Sequence, residues 1–196
     1  ISFFIMIPTE VFAGLWGITY LQKMHHYSPE KSAVASGIIY IGWAIGLPMQ
    51  GWLSDLLCNR VRLILISAGS SCVLSLFVLY TPNLPYLLVL ISFLLIGVFS
   101  GSQLLTYSMA NDVCDTKGIG MAIGFVNCFS MLGALIFQVV FGVLLNIFWD
   151  GKYNSAGEKI YSLLSYEKAV FIVPASFLIT ALVAFFIKDR YEKNSL

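Results

Sequence analysis

Glu10 is the one acidic residue deep inside an apolar run, in the stretch IPTEVFAGLWG. A carboxyl group placed there can carry a proton, hold a cationic group of a solute, or bond to a neighbouring helix. Removal from water disfavours the ionised form of a carboxyl group, which is the property a proton carrier needs. Ala13 and Gly14 follow one turn later, then Gly17, on nearly the same helical face. Small residues admit a close neighbour, whether a helix or a ligand. Functional carboxylate and structural hydrogen-bonding group both stay open at this point.

Two further sets of polar residues recur with helical spacing. Ser100, Gln103, Tyr107 and Asn111 share one face, and so do Asn127, Ser130, Ala134 and Gln138. Trp43 and Gln50 are seven apart, with Tyr40 nearby. Gln103, Tyr107, Asn127 and Gln138 are candidate hydrogen-bonding contacts for a substrate. Tyr40 and Trp43 are candidate apolar or stacking walls. The alternative for each amide is a bond between helices. No lysine or arginine lies deep in an apolar run. A zwitterion, an amine or a neutral polar solute therefore suits Glu10, while a strongly anionic one would need its cation from elsewhere.

The residues give little support to catalysis. His25 and His26 are the only histidines and lie in a connection without metal-ligand spacing. There is no HExxH. The four cysteines, Cys58, Cys72, Cys114 and Cys128, form no CxxC pair. No enzyme, metal or cofactor is expected.

The elements that must position these groups are membrane helices. Hydrophobic residues make up 59% of the 196 residues and charged ones 11%, against about 25% charged in a soluble domain. Mean hydropathy is +0.87. Such a chain has a bilayer as its solvent, and a span needs about 20 apolar residues. Six runs qualify, at about 1–22, 32–53, 61–80, 85–109, 119–148 and 166–187. The expected fold is all-α, one six-helix transmembrane bundle over 1–196. Runs one, two, four and five carry the polar groups and read as cavity walls; three and six offer mainly hydroxyls and read as outer supports. No strand pattern is evident. Pro82 and Pro85 predict a tight turn, and Asp115 and Thr116 are placed to cap the fifth run. A net charge of +1 argues against a nucleic-acid partner. The chain starts at Ile1, already inside an apolar run, and is expected to be a fragment whose upstream part is missing.

An even number of spans puts both ends on one side. Arg60, Arg62, Lys117, Lys188, Arg190 and Lys193 fall on that side; Lys23, Lys31, Lys152, Lys159 and Lys168 fall on the other. The balance is too even for the positive-inside rule to orient the chain, although all three arginines share a side.

The connection GWLSDLLCNRVR, residues 51–62, resembles the signature loop of the major facilitator superfamily of transporters. Gly51, Leu53, Ser54, Asp55, Arg60 and Arg62 match that pattern; Leu56, Cys58 and Asn59 depart from it, Cys58 at a glycine. The stretches FAGLWG, IGWAIGLPMQGWLSD, GSQLLTYSMANDV and GFVNCFSMLGALIFQ are similar to those of bacterial permeases of this superfamily. The partial match implies the C-terminal six-helix half, in a bacterial inner membrane, with both ends cytoplasmic. An N-terminal half of the same transporter would be its partner. The resemblance also implies that Gly51, Asp55, Arg60 and Arg62 form a cytoplasmic gate that locks one state and breaks during transport. The function expected is secondary active transport of a small polar solute by alternating access, coupled to protons through Glu10. An uncoupled facilitator, an antiporter and a non-transporting receptor or assembly subunit are the alternatives.

Overall fold

The computed structural model describes residues 1–114 and 118–187. Asp115 and Thr116, the expected caps, and Lys117, Lys188, Arg190 and Lys193, counted in the charge balance, lie outside the described residues. Six helices among the described residues are long and apolar enough to cross a membrane. They are span one Ser2–His25, span two Pro29–Leu57, span three Arg60–Tyr80, span four Tyr86–Val113, span five Ile119–Ile147 and span six Leu163–Phe185. Helices are the natural solution, because hydrocarbon offers the backbone no hydrogen-bonding partner.

The helix ends follow local chemistry. Span two starts earlier than its apolar run because Pro29 opens the helix and the Ser28 hydroxyl accepts from the Lys31 N–H at 3.4 Å. It also runs further, through Ser54–Leu57, and stops at Cys58, whose φ is +48°. Asn59 then caps span three, its side chain accepting from the Arg62 N–H at 2.8 Å. Pro82 and Asn83 form the expected turn, with Asn83 at φ +56°.

Three spans are interrupted. Span one consists of an α-helical turn Ser2–Ile5, a π-helical segment Ile7–Trp16 and an α-helix Gly17–His25. Pro8 opens the π-helical segment; proline lacks an N–H and crowds the carbonyl four residues back, which favours a wider turn. Span four breaks at Gly101 and Ser102 between Tyr86–Ser100 and Gln103–Val113. Span six bends at Phe171, between Leu163–Val170 and Ile172–Phe185.

Span one, expected as one wall among four, is the most buried, with 61% of its apolar stretch buried against 33% for span two and 28% for span five. Its Phe12 packs against Tyr20 and Phe93, and its Trp16 stacks on Phe141 of span five. Spans two and four cross at two facing glycine pairs. Gly42 and Gly46 lie against the Leu94 and Val98 backbone, and Gly97 and Gly101 against the backbone from Ile39 to Leu47. A side chain at any of the four would run into main chain, so the small residues set the distance of approach. Spans three and six pack together, with the Cys72 thiol donating to the Pro174 carbonyl at 3.5 Å.

At one end of the bundle, tyrosines fasten the connections. Tyr27 donates to the Leu84 carbonyl at 3.0 Å, Tyr86 to Lys31 at 3.1 Å and Tyr80 to Glu167 at 2.9 Å. The connection between spans five and six is more ordered than its composition suggests. Tyr153 and Lys159 form an antiparallel bridge, and the Trp149 indole N–H donates to the Lys152 and Ile160 carbonyls, each at 3.1 Å.

Candidate functional site

Glu10 sits half-buried within the π-helical segment of span one. Among the described residues its carboxylate makes no hydrogen bond, but the backbone around it is held from two sides. The Tyr40 hydroxyl of span two donates to the Thr9 carbonyl at 2.9 Å. The Gln138 amide of span five donates to the carbonyl of Glu10 itself at 3.2 Å. Ser36, a residue the sequence did not single out, donates to the Ala13 carbonyl at 3.0 Å. Tyr40 also lies within Coulombic reach of Glu10. Gly14 leaves room for the Tyr40 hydroxyl.

The second polar group joins spans one, four and five. Gln103 is 3% exposed; its Nε2 donates to the Ser130 hydroxyl at 3.5 Å and its Oε1 has no partner among the described residues. Ser130 also bonds Ser2 of span one and donates to the Val126 carbonyl at 3.0 Å. Tyr107 donates to Asn127 at 3.2 Å across spans four and five, at a more open position. Ser100 and Gln103, expected on one continuous stripe with Tyr107 and Asn111, are separated by the break at Gly101 and Ser102. Ser100 and Gln103 are buried, while Tyr107 and Asn111 are half-buried. Trp43 is half-buried, with its backbone nitrogen beside Gly97 and its indole nitrogen without a partner among the described residues. Gln50 is bound within the bundle: it donates to the Val98 carbonyl and accepts from Ser67, both at 3.4 Å.

The structure thus brings Glu10, Tyr40 and Gln138 together, and it brings Gln103 to Ser130 and Tyr107 to Asn127. Of the polar residues spaced along span five, Ser130 and Gln138 bond to span one, while Asn127 bonds to span four.

At the other end of span two the residues expected to form a gate have different surroundings. Asp55 is exposed on the last helical turn and has no ion-pair partner among the described residues. Arg60, the first residue of span three, is 9% exposed and pairs with Asp112 near the end of span four. A cation that deep needs a carboxylate, and Asp112 supplies it. Sequence reasoning missed Asp112 because it lies in what reads as a polar connection. Arg62 is exposed, and Gly51 leaves space for Leu104 of span four.

The class is therefore an all-helical, six-span membrane bundle in which polar side chains of spans two and five bond to span one. A family profile described as Major Facilitator Superfamily matches residues 1–196, and the chain belongs to that superfamily. No curated protein matches it. Among solved structures it is similar to the xylose transporter XylE from E. coli in an inward open conformation, with a TM-score of 0.70 at 13% identity. The match covers 96% of this chain and 46% of that one. The six helices form one half of this transporter fold, and the chain spans about half the length of that relative.

Proposed function

We propose that the chain is the C-terminal half of a secondary active transporter that moves a small polar solute by alternating access. Glu10 carries the coupling proton. The observation that supports this most is the Glu10 carboxylate itself: half-buried in an apolar helix, without a hydrogen bond among the described residues, on a segment held from both neighbouring spans. A structural glutamate would spend its carboxylate on a neighbouring helix; this one spends its main chain there. The superfamily and the likeness to a xylose transporter add support for transport.

In this reading the substrate lies between this half and an N-terminal six-helix half, near the bilayer midplane, and the halves rock about it. Trp43, Tyr107 and Asn127 face the solute, with Tyr40, Gln103 and Gln138 behind or beside them. Gly51, Asp55, Arg60 and Arg62 belong to a cytoplasmic gate, joined by Asp112. Both ends lie in the cytoplasm of a bacterial cell, and the 149–165 connection lies outside.

The test is uptake by the intact transporter in vesicles, screened with xylose and other sugars, amino acids, peptides and organic acids. A proton-coupled carrier accumulates its solute when a pH gradient is the only driving force. Exchange without such accumulation would leave the facilitator or antiporter. No exchange of any solute would leave a receptor or assembly subunit.

A further inference from the structure

We propose that Ser36 and Tyr40 of span two and Gln138 of span five form a three-point clamp on the π-helical segment and are positioning residues for Glu10. The proposal deepens, and rests on, the reading of Glu10 as the coupling carboxylate.

The three bonds converge on one short piece of main chain. Tyr40 donates to Thr9, Gln138 to Glu10 and Ser36 to Ala13, at 2.9, 3.2 and 3.0 Å. All three acceptors lie inside the π-helical segment Ile7–Trp16. A carbonyl oxygen has two lone pairs, so a side chain can bond it without displacing a backbone donor. Ser36 and Tyr40 are one turn apart on the same face of span two, while Gln138 approaches from span five. Elsewhere, comparable bonds reach helix ends or turns, as from Tyr27 to Leu84 and Tyr86 to Lys31. Mid-span cases such as Gln50 to Val98 and Cys72 to Pro174 are single.

The small residues of span one fit the same picture. A side chain at Gly14 would crowd the Tyr40 hydroxyl, and one at Gly17 would overlap the Ser36 hydroxyl. The small-residue face next to Glu10 admits the clamp.

A π-helical turn holds one more residue than an α-helical turn. Conversion between them turns the side chains beyond the junction by about 100°, one residue's share of a 3.6-residue turn. The direction of the Glu10 carboxylate therefore depends on which turn is present. Since that carboxylate has no hydrogen bond of its own among the described residues, the backbone sets the face from which its side chain departs and so the space its rotamers can reach. Among the described residues, Tyr40 on span two is an ionisable side chain in Coulombic reach of it; Gln138 on span five does not ionise.

The experiment uses the intact transporter in lipid vesicles and needs no substrate. A hydrophobic carbodiimide, which modifies protonated carboxyl groups at membrane depth, is applied across a pH range. Labelling of Glu10 is followed by peptide mass spectrometry, with Glu10→Gln as the blank. Hydrogen exchange of the amides in 7–17 is measured in parallel. Ser36→Ala and Tyr40→Phe each delete one oxygen and keep the packing; Gln138→Leu removes the amide. Each is expected to raise exchange in 7–17 severalfold and to change the Glu10 labelling rate severalfold. Unchanged exchange in all three would remove the clamp. Raised exchange with unchanged labelling would make the contacts structural and overturn the positioning role. Labelling of the unaltered protein that ignores pH would sink the proton-carrier reading instead, and the ratio of variant to unaltered rates would still judge the clamp.

Discussion

The guanidinium of Arg60, at the start of span three, meets the carboxylate of Asp112 near the end of span four. The pair ties the start of span three to the end of span four, two consecutive helices joined by one connection, so its members lie two whole spans apart along the chain. Its side chains are 11% and 28% exposed, between a surface pair and a buried one. Asp112→Asn should therefore destabilise the protein by about 2 kcal/mol, above the range of exposed pairs and below that of fully buried ones. Asp55→Asn, at an exposed carboxylate, should change stability by less than ~0.5 kcal/mol. Under the gate proposal Asp55→Asn lowers transport while leaving the melting temperature in place, and Asp112→Asn lowers both. A double-mutant cycle with Arg60→Gln measures the coupling; a value indistinguishable from zero would mean that the two side chains do not support each other.

The crossing of spans two and four depends on absent side chains. Gly97→Ala drives a methyl group into the Ile39 carbonyl and the backbone of Gly42 and Trp43. The helices must separate or shift, at a cost of about 1–3 kcal/mol. Gly69 on span three is the internal control, because a methyl group there meets nothing. Gly69→Ala should be neutral or stabilising by up to ~1 kcal/mol. Thermal unfolding in one detergent compares them. Equal effects of the two substitutions would show that helix propensity, not the close crossing, governs both.

Cys58 ends span two in the left-handed region, at φ +48°. That conformation costs a residue with a side chain about 1–2 kcal/mol, and it explains why the superfamily's signature loop favours glycine at this place. Glycine also gains freedom in the unfolded chain, which offsets up to ~1 kcal/mol of the benefit. Cys58→Gly should thus be neutral to slightly stabilising. Cys58→Val should be clearly destabilising, because a β-branched side chain tolerates the left-handed region poorly. The difference in sign between glycine and valine, read from melting temperatures, is the test.

Much of this fold is legible in the sequence, for reasons that also mark where legibility stops. Runs of about twenty mostly apolar residues leave little choice but a membrane helix, so the six spans appear directly. Their ends do not, because Ser54–Leu57 are polar enough to read as a connection yet contain nothing that breaks a helix before Cys58. The period on span five marks Ser130 and Gln138 as polar positions on one face, and both bond to span one. Their partners were not legible. Gln138 finds a main-chain carbonyl, and no pattern of side chains announces that. The π-helical segment is hidden for the same reason, since one extra residue in a turn leaves a mostly apolar stretch looking unchanged, with Pro8 as its visible hint. Asp112 was hidden because its partner Arg60 is far away in sequence and because Asp55 offered a nearer candidate.

Glu10 separates coupling from architecture. Glu10→Gln keeps the size of the side chain and most of its hydrogen-bonding capacity but cannot ionise. The main-chain bond from Gln138 to residue 10 does not involve the side chain, so the π-helical segment should survive the change. If Glu10 carries the coupling proton, the variant loses uphill accumulation driven by a pH gradient and keeps exchange of solute across the membrane. If Glu10 holds a cationic group of the solute, exchange fails as well, because affinity for the solute is lost. If its role is to bond another helix, glutamine preserves both activities and only Glu10→Ala destabilises, by about 1–2 kcal/mol. The expected result is the first. Accumulation by the glutamine variant at the rate of the unaltered transporter would end the case for Glu10 as the proton carrier.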